Sequence, residues 1–382
     1  MENKGILQNL RVQIDETDDQ IKQLFEKRMS IVLDVAKYKE NNQLPILNTS
    51  RERDILTRVT EEQSDELAGY TKVLFSTLFD LSRSYQGRET YKKSPLVSKI
   101  RKAVDNTPKL FPKSAIVACQ GIEGSNSQMA CERLFARPNI IHVNSFEAVF
   151  SSVEKGLCQY GILPIENSLH GSVVGIYDLM QKYRFYIAKS IKVMIHHTLL
   201  ANHGATLEDI KEIYSHEQAI GQCGGFLRNL SGVKSIACEN TAVAAKIVAD
   251  SGRKDIAAIA SKACASLYDL SVLSDEVQDN ANNYTRFICI SKNMEIYPGA
   301  KKISLMFSLP HKPGSLYGVL SRFSALGMNL TKLESLLIPG KDFEFMFFAD
   351  LDASVDDEAT ANLLACMQDI VEKFIFLGCY SE

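Results

Sequence analysis

Along the first 86 residues the apolar positions recur with a helical period. Leu7, Ile14, Ile21, Arg28 and Val35 fall seven apart, while Leu10, Thr17, Leu24, Ile31 and Tyr38 each follow by three. The two series make one seam on a single helix of about 34 residues, the kind that packs in bundles. Pro45 ends this helix, Ser50 reads as the cap of a second over Arg51–Thr60, and Leu67–Gln86 makes a third. A three-helix chain with one arm so long cannot bury its own seam, so the pattern predicts pairing with a second copy.

The pattern changes twice more. Between Gly87 and Lys113 the chain turns basic and holds three of its ten prolines, which reads as a solvated linker (91–113) with a short helical segment around Val97–Val104. From Ser114 short apolar runs alternate with helical stretches. Strands are predicted at 115–119, 139–143, 160–165, 211–216, 233–239, 255–261 and 286–290, with helices at Ser145–Gln159, Glu217–Leu230 and Thr241–Ser251. This is an α/β unit. The long extended segment Lys192–Asn202 suits a passage between two lobes flanking a cleft.

After Pro298 the order is strand (302–310), helix (313–327), strand (329–338), strand (343–352), helix (Glu358–Phe374) and strand (376–380). βαββαβ over about 80 residues is the ferredoxin-like arrangement, a common shape for modules that sense small molecules.

Composition narrows the function classes. A formal charge of −3, with 45% hydrophobic and 23% charged residues, gives no electrostatic footprint for nucleic acid. No run of about 18 apolar residues suggests a membrane span, and the charged N-terminus predicts a cytoplasmic protein. The nine cysteines (119, 131, 158, 223, 238, 264, 289, 366, 379) include no CxxC and read as reduced, mostly buried thiols. There is no HExxH, no GxGxxG and no GxxxxGK[ST], so neither metal, dinucleotide nor nucleoside triphosphate is expected.

Two cations stand out on the long helix. Arg28 takes a seam position, and Lys39, eleven residues on, returns to nearly the same azimuth about 16 Å along the axis. Their side chains could converge on a small dianion between them, or Arg28 could reach past the seam to water while Lys39 serves the helix end. Arg11 lies about 26 Å from Arg28 on the same helix, too far to share one small ligand, so any help it gives must reach the site of a partner chain.

LRVQID, KRMSIVLDVAKYKE, SRERDIL and FDLSRSYQ together resemble the all-helical chorismate mutase family, over nearly all of residues 5–86. The resemblance implies that Arg11 of one chain and Arg28 of the other hold the carboxylates of chorismate. It implies too that Lys39 and Gln86 bond the ether oxygen, Glu52 the hydroxyl and Ser82 a carboxylate, with Arg51 in the same pattern. Asn48 stands where that family usually has aspartate, and it keeps a hydrogen-bonding side chain. A pericyclic rearrangement needs no acid, base or nucleophile. It needs a compact reactive conformer and positive charge where the breaking C–O bond gains electron density.

A second constellation closes on NNYTRFICI (282–290), where a threonine and an arginine precede an apolar run. Strand alternation sends Thr285 to one face and Arg286 to the other. GIEGSNS (121–127), LPIENSLHGSV (163–173), YSHEQAIGQC (214–223), ENTAVAA (239–245) and NYTRF stand in the order found in prephenate dehydratases, and the chain resembles that family across 114–292. The resemblance makes Thr285 the catalytic hydroxyl, with Asn167, Ser215 and Gln222 lining the site. The reaction expels hydroxide and carbon dioxide together and forms an aromatic ring, so it needs an aimed donor at the departing hydroxyl and no cofactor. Arg286 is read as a charge held by acidic or carbonyl partners that orients Thr285, with direct contact to substrate as the alternative. Glu166 reads as a structural acceptor, with a catalytic carboxylate as the alternative, His170 and His216 as hydrogen-bonding props, and His196 and His197 as strand residues between the lobes. In the Gly121–Ser127 loop, whose amides could hold a carboxylate, Ile122 and Asn126 depart from the usual proline and aromatic.

The last module resembles the ACT amino-acid-binding domain. HKPGSLYGVL (311–320) is similar to its ligand loop, placing Gly314, Ser315 and Leu316 at an effector, and NLTKLESLL (329–337) adds Glu334 and Ser335, with Leu336 and Leu337 where Arg and Pro are usual. The resemblance implies feedback inhibition by L-phenylalanine.

The expectation is therefore a multidomain α and α/β chain. A helical, intertwined-dimer mutase domain (1–90) and the linker precede a two-lobed α/β dehydratase domain (114–295) and a ferredoxin-like ACT domain (300–382). It converts chorismate to prephenate and prephenate to phenylpyruvate as a homodimer or higher homo-oligomer. A noncatalytic two-lobed sensor joined to an amino-acid-binding domain is the alternative, and fusion to a prephenate dehydrogenase would need a dinucleotide fingerprint that the chain lacks.

Overall fold

The structure, a computed structural model, describes residues 2–42, 44–45, 47–91, 94–337 and 344–382. Helix α1 (Glu2–Asn41) runs 40 residues and stops ahead of Pro45. Helix α2 (Thr49–Thr60) is capped by Asn48, not by Ser50, which lies inside the helix. Asn48 has the extended backbone a cap needs, and its side chain accepts from the Arg51 amide at 3.0 Å. Helix α3 (Asp65–Tyr91) packs along α1 and α2.

Helix α4 (Pro95–Asn106) opens on a proline whose missing N–H costs nothing there. Its Val97, Ile100 and Ala103 are buried, and Val97 packs with Ala361, Ala365 and Cys366. The expected solvated linker thus holds a packed helix. The three-residue spacing of its apolar side chains was the signal, and the basic composition around it masked that signal.

By compactness the chain divides in two. One unit takes in Met1–Lys102, Phe307–Phe347 and Leu351–Phe374; the other takes in Ala103–Met306, Phe348–Asp350 and Ile375–Glu382. In the first, the α1 seam stays open: Leu7, Leu10, Ile14, Ile21, Leu24 and Ile31 are 50% to 66% exposed, and Val32 turns inward.

The second unit begins with β1 (Ser114–Gln120), α5 (Asn126–Leu134), β2 (Arg137–Val143), α6 (Phe146–Glu154), β3 (Tyr160–Asn167), β4 (Gly171–Ser172), α7 (Val174–Tyr183) and β5 (Tyr186–Met194). It continues with β6 (Thr198–Ala201), β7 (Glu212–His216), α8 (Glu217–Gln222), α9 (Gly224–Arg228), β8 (Lys234–Cys238), α10 (Thr241–Ser251), β9 (Ile256–Ala260), α11 (Ala263–Leu267), β10 (Ser271–Ser274) and β11 (Tyr284–Ser291). Among the described residues, β2, β1, β3, β11 and β5 lie side by side in one sheet, with β4 on β3, and β10, β6, β9, β7 and β8 form a second sheet.

All seven expected strands are present, and β4, β5, β6 and β10 add to them. The segment Lys192–Asn202 ends one strand and begins another. β5 stays in the first sheet, β6 joins the second, and His196 and His197 lie at the crossing. The helix expected over Glu217–Leu230 breaks at Cys223, between glycines that give the helix little support.

The last sheet follows the expected order: β12 (Lys302–Ser308), α12 (Ser315–Ala325), β13 (Asn329–Leu337), β14 (Phe345–Asp352), α13 (Glu358–Ile370) and β15 (Lys373–Tyr380). Its strands lie β13-β14-β12-β15, the ferredoxin-like arrangement. Ile338 and Phe343, the expected inner ends of the middle strands, lie outside the described residues. Gly378 on β15 has φ +143°, and a Cβ there would stand 2.5 Å from the Ile187 carbonyl oxygen of β5. The cysteines are free thiols, all buried except Cys238. Among the described residues no helix is long and apolar enough to cross a membrane.

Two candidate active sites

In the helical region the expected residues gather around one stretch of α3. Arg28 reaches across from α1, hydrogen-bonds the Ser82 hydroxyl and the Leu78 carbonyl (3.3 Å), and stands 6.0 Å from the centroid of the Phe79 ring. Burial lowers its pKa from the ordinary guanidinium value. Lys39 is lowered too, by burial, with the field of Glu52 on α2 pulling it back up. The Glu52 carboxylate is ion-paired with Arg83, and Arg83 also pairs with Asp80. One turn beyond Ser82, the Gln86 side-chain oxygen is buried with no hydrogen-bond partner among the described residues. A patch with Arg28, Lys39, Arg83 and an unengaged amide oxygen suits an anion carrying a hydroxyl.

Three expected residues stand apart from this group. Asn48 spends its side-chain oxygen on the α2 cap, which leaves its NH2 for other contacts. Arg11 and Arg51 are exposed, and a single chain does not bring Arg11 to Arg28. Arg83 was not foreseen. It follows Ser82 directly, and nothing in its spacing separates it from an ordinary surface arginine.

The second constellation sits where β3 and β11 pair antiparallel, with Thr285 opposite Asn167 and Arg286 opposite Glu166. Its hydrogen bonds run in one direction. The Asn167 side-chain oxygen accepts from the Leu169 amide (2.9 Å) and the His170 amide (3.1 Å). Its NH2 must then face the acceptors: the Asn283 oxygen (2.8 Å), the Thr285 hydroxyl oxygen (3.0 Å) and the Tyr284 carbonyl (3.2 Å). Thr285 thus accepts from Asn167 and keeps its own proton to donate.

Gln222, at the end of α8, continues the chain. Its oxygen accepts from His197 Nε2 (2.7 Å) and from the Asn283 NH2 (2.8 Å), so its own NH2 donates to His170 Nδ1 (3.0 Å). Burial lowers the His197 pKa, and the hydrogen bond to Gln222 opposes that only in part. A neutral His197 with its proton on Nε2 meets both demands. His197 and Asn283 therefore belong to the same hydrogen-bonded cluster. The HisHis pair carried a weak signal, and Asn283, inside the NNYTRF run, was overlooked beside Thr285.

Ser215 and Arg286 do not join this group. Ser215 is fully buried, and its hydroxyl donates to the Ile259 carbonyl of β9 at 2.6 Å, because alternation along β7 turns residues 213 and 215 to the core. Arg286, 2% exposed, is ion-paired with Glu166 (2.6 Å) and Asp350 (2.7 Å) on the face opposite Thr285. It is thus held by two acidic partners, away from the Thr285 cluster. Among the described residues, no group of three or more His, Cys, Asp and Glu gathers as metal ligands.

In the first unit, a cavity of about 210 Å³ is lined by Leu309–Lys312, Ser315, Leu316, Glu344, Phe345, Phe347 and Glu372. Gly314, with φ +85°, forms the cap of α12 beside it. Glu334 and Ser335, on β13, do not line this cavity, and Glu334 faces Lys332 at 3.5 Å.

Known proteins resemble both regions. A family model for prephenate dehydratase matches residues 117–295. Arogenate dehydratase/prephenate dehydratase 2 of Arabidopsis thaliana is 34% identical over 311 residues, which span 78% of this chain and 81% of that protein. The chain belongs to the prephenate dehydratase family. Ahead of the dehydratase, a model for chorismate mutase type II matches residues 10–87. The bifunctional chorismate mutase/prephenate dehydratase of Aquifex aeolicus (strain VF5) is 28% identical over 378 residues, 98% of each chain. A prephenate dehydratase of Arthrobacter aurescens, solved in complex with L-Phe, is 28% identical with a TM-score of 0.64, over 70% of this chain and 90% of that one. This dehydratase therefore carries a mutase in the same chain, and the pair makes it a bifunctional enzyme, chorismate mutase and prephenate dehydratase.

Proposed function

We propose that each activity runs on the residues gathered above. Chorismate lies against α3 with its carboxylates on Arg28 and on Arg11 of the partner subunit, its ether oxygen toward Lys39 and Gln86, and its hydroxyl toward Glu52. The open α1 seam supports that pairing, since aliphatic side chains half or more exposed along one helix face need a second copy to cover them. The mutase step then depends on the folded conformer and on cations near the breaking C–O bond.

Prephenate takes the second site. Thr285, fixed as an acceptor toward Asn167, donates its proton to the departing hydroxyl while the ring carboxylate leaves as carbon dioxide. The electron pair of the broken C–C bond enters the ring, the C–O bond breaks, the hydroxyl leaves as water with the threonine proton, solvent returns a proton to Thr285, and phenylpyruvate remains. The observation that carries this reading is the one-way amide of Asn167 at the threonine hydroxyl. L-Phenylalanine is the proposed effector at the α12 cavity, where Ser315 and Leu316 lie and apolar and polar walls meet. The L-Phe complex of the Arthrobacter aurescens relative supports it.

The test is direct. Purified protein should consume chorismate and release phenylpyruvate without added cofactor, and L-phenylalanine should slow the second step. A rate unaffected up to millimolar L-phenylalanine would remove the effector role. Arogenate, which carries an amine in place of the keto group of prephenate, is the second substrate to try, because the Arabidopsis relative bears both names.

A further inference from the structure

Alignment of Thr285 against Asn167 is not secured by the β3–β11 ladder alone. That register slips between Arg286 and Phe287, immediately beyond the reacting pair, whereas on the β5 side it runs unbroken from Tyr284 to Cys289. A slip disrupts ladder hydrogen bonds and leaves local alignment to side chains. On the reverse face the side chain available is Arg286.

Arg286 is clamped from two strands. Glu166, its cross-strand neighbour, pairs with Nε at 2.6 Å but is 29% exposed; Asp350, from β14, pairs with Nη2 at 2.7 Å and is 2% exposed. Asp350 is itself anchored, its other oxygen accepting from the Ser304 hydroxyl at 2.5 Å, and Ser304 in turn lies 2.7 Å from the Tyr380 hydroxyl. Since Ser304 gives its proton to the carboxylate, Tyr380 must donate to Ser304, so the chain is oriented throughout. Burial opposes the charge on Arg286, and the fields of Asp350 and Glu166 outweigh it, raising its pKa above the usual value. Tyr380 is itself neutral, as burial pushes its phenol well up, so the counter-charge comes from the two carboxylates.

We propose that Asp350 is a positioning residue of the dehydratase reaction: from β14 it holds the Arg286 guanidinium and thereby fixes Thr285 against Asn167. The inference rests on reading Thr285 as the donor to the departing hydroxyl. Asp350 touches no substrate. Its effect is on alignment, where an error of about 1 Å costs on the order of a hundredfold in rate.

The experiment compares Asp350→Asn, Arg286→Gln and the double variant in the full-length chain, with prephenate as substrate. Asp350→Asn is expected to lower dehydratase kcat roughly tenfold to a hundredfold with KM within about twofold, while mutase turnover of the same preparation holds. The double variant should be no slower than Arg286→Gln, because the aspartate acts through the arginine. An unchanged kcat, a loss confined to KM, or losses that multiply in the double variant would overturn the proposal. If Asp350→Asn does not fold, Ser304→Ala decides, since it loosens the aspartate without stranding a charge. A several-fold fall in kcat at constant KM supports the proposal, and an unchanged kcat ends it. Thr285→Ala runs alongside. Turnover retained there defeats the site reading itself, whereas loss there with none in Asp350→Asn defeats only the role of Asp350.

Discussion

Asn167 donates to the Thr285 hydroxyl oxygen across 3.0 Å, and toward that hydroxyl it can only donate, because the amides of Leu169 and His170 occupy its own oxygen. Loss of the threonine hydroxyl removes the proton donor and leaves the pocket shape. Thr285→Ala should cut dehydratase kcat by on the order of a hundredfold to a thousandfold, and Thr285→Ser should recover much of it. Steady-state assays of both activities on one preparation check this, with mutase turnover expected near wild type.

Arg28 and Lys39 lie on the same helix as Arg11, which a single chain leaves remote from them. Arg11→Ala and Lys39→Ala should each abolish most mutase activity. Mixed as equal unfolded pools and refolded together, they should regain roughly a quarter of it, because half the dimers are hybrids and each hybrid holds one intact site of two. Mixed chains that stay inactive would refute a site shared between subunits.

His197 gives the pH dependence a definite sign. Burial depresses its folded pKa below the ordinary 6.5, so as pH falls the unfolded chain takes up this proton before the folded one does. Its contribution to stability is intact above about pH 6.5 and is lost as pH drops through that value toward the folded pKa. The imidazole should titrate in NMR with a midpoint below 6.5, and His197→Gln should flatten the acid side of the urea-denaturation profile.

Gly378 tests the packing of β15 on β5. Alanine there must adopt φ +143° and bring its methyl to 2.5 Å from the Ile187 carbonyl oxygen. Gly378→Ala should cost about 2–4 kcal/mol in chemical denaturation, a strain and a backbone clash together.

How much of this was legible along the chain depends on range. Thr285, Asn167 and Gln222 could be named because each lies in a run whose neighbours mark it, and the βαββαβ order could be counted because periodicity is local. Ser215 was misplaced within a correctly placed strand. Alternation divides residues between two faces without saying which face meets the core. Asp350 could not be found at all, since its partner Arg286 is far away along the chain and only the sheet brings them together. Arg83 was hidden for the opposite reason: its partner Asp80 is one turn away, and such pairs are common on any helix.

The accessibility of the thiols offers one practical opening. Cys238 ends β8 and is the sole cysteine not buried, so a maleimide dye on the native enzyme should attach there and leave the other eight untouched. A fluorophore at that point would report, without any engineered residue, on how the β8 edge responds when ligand is added to the dehydratase.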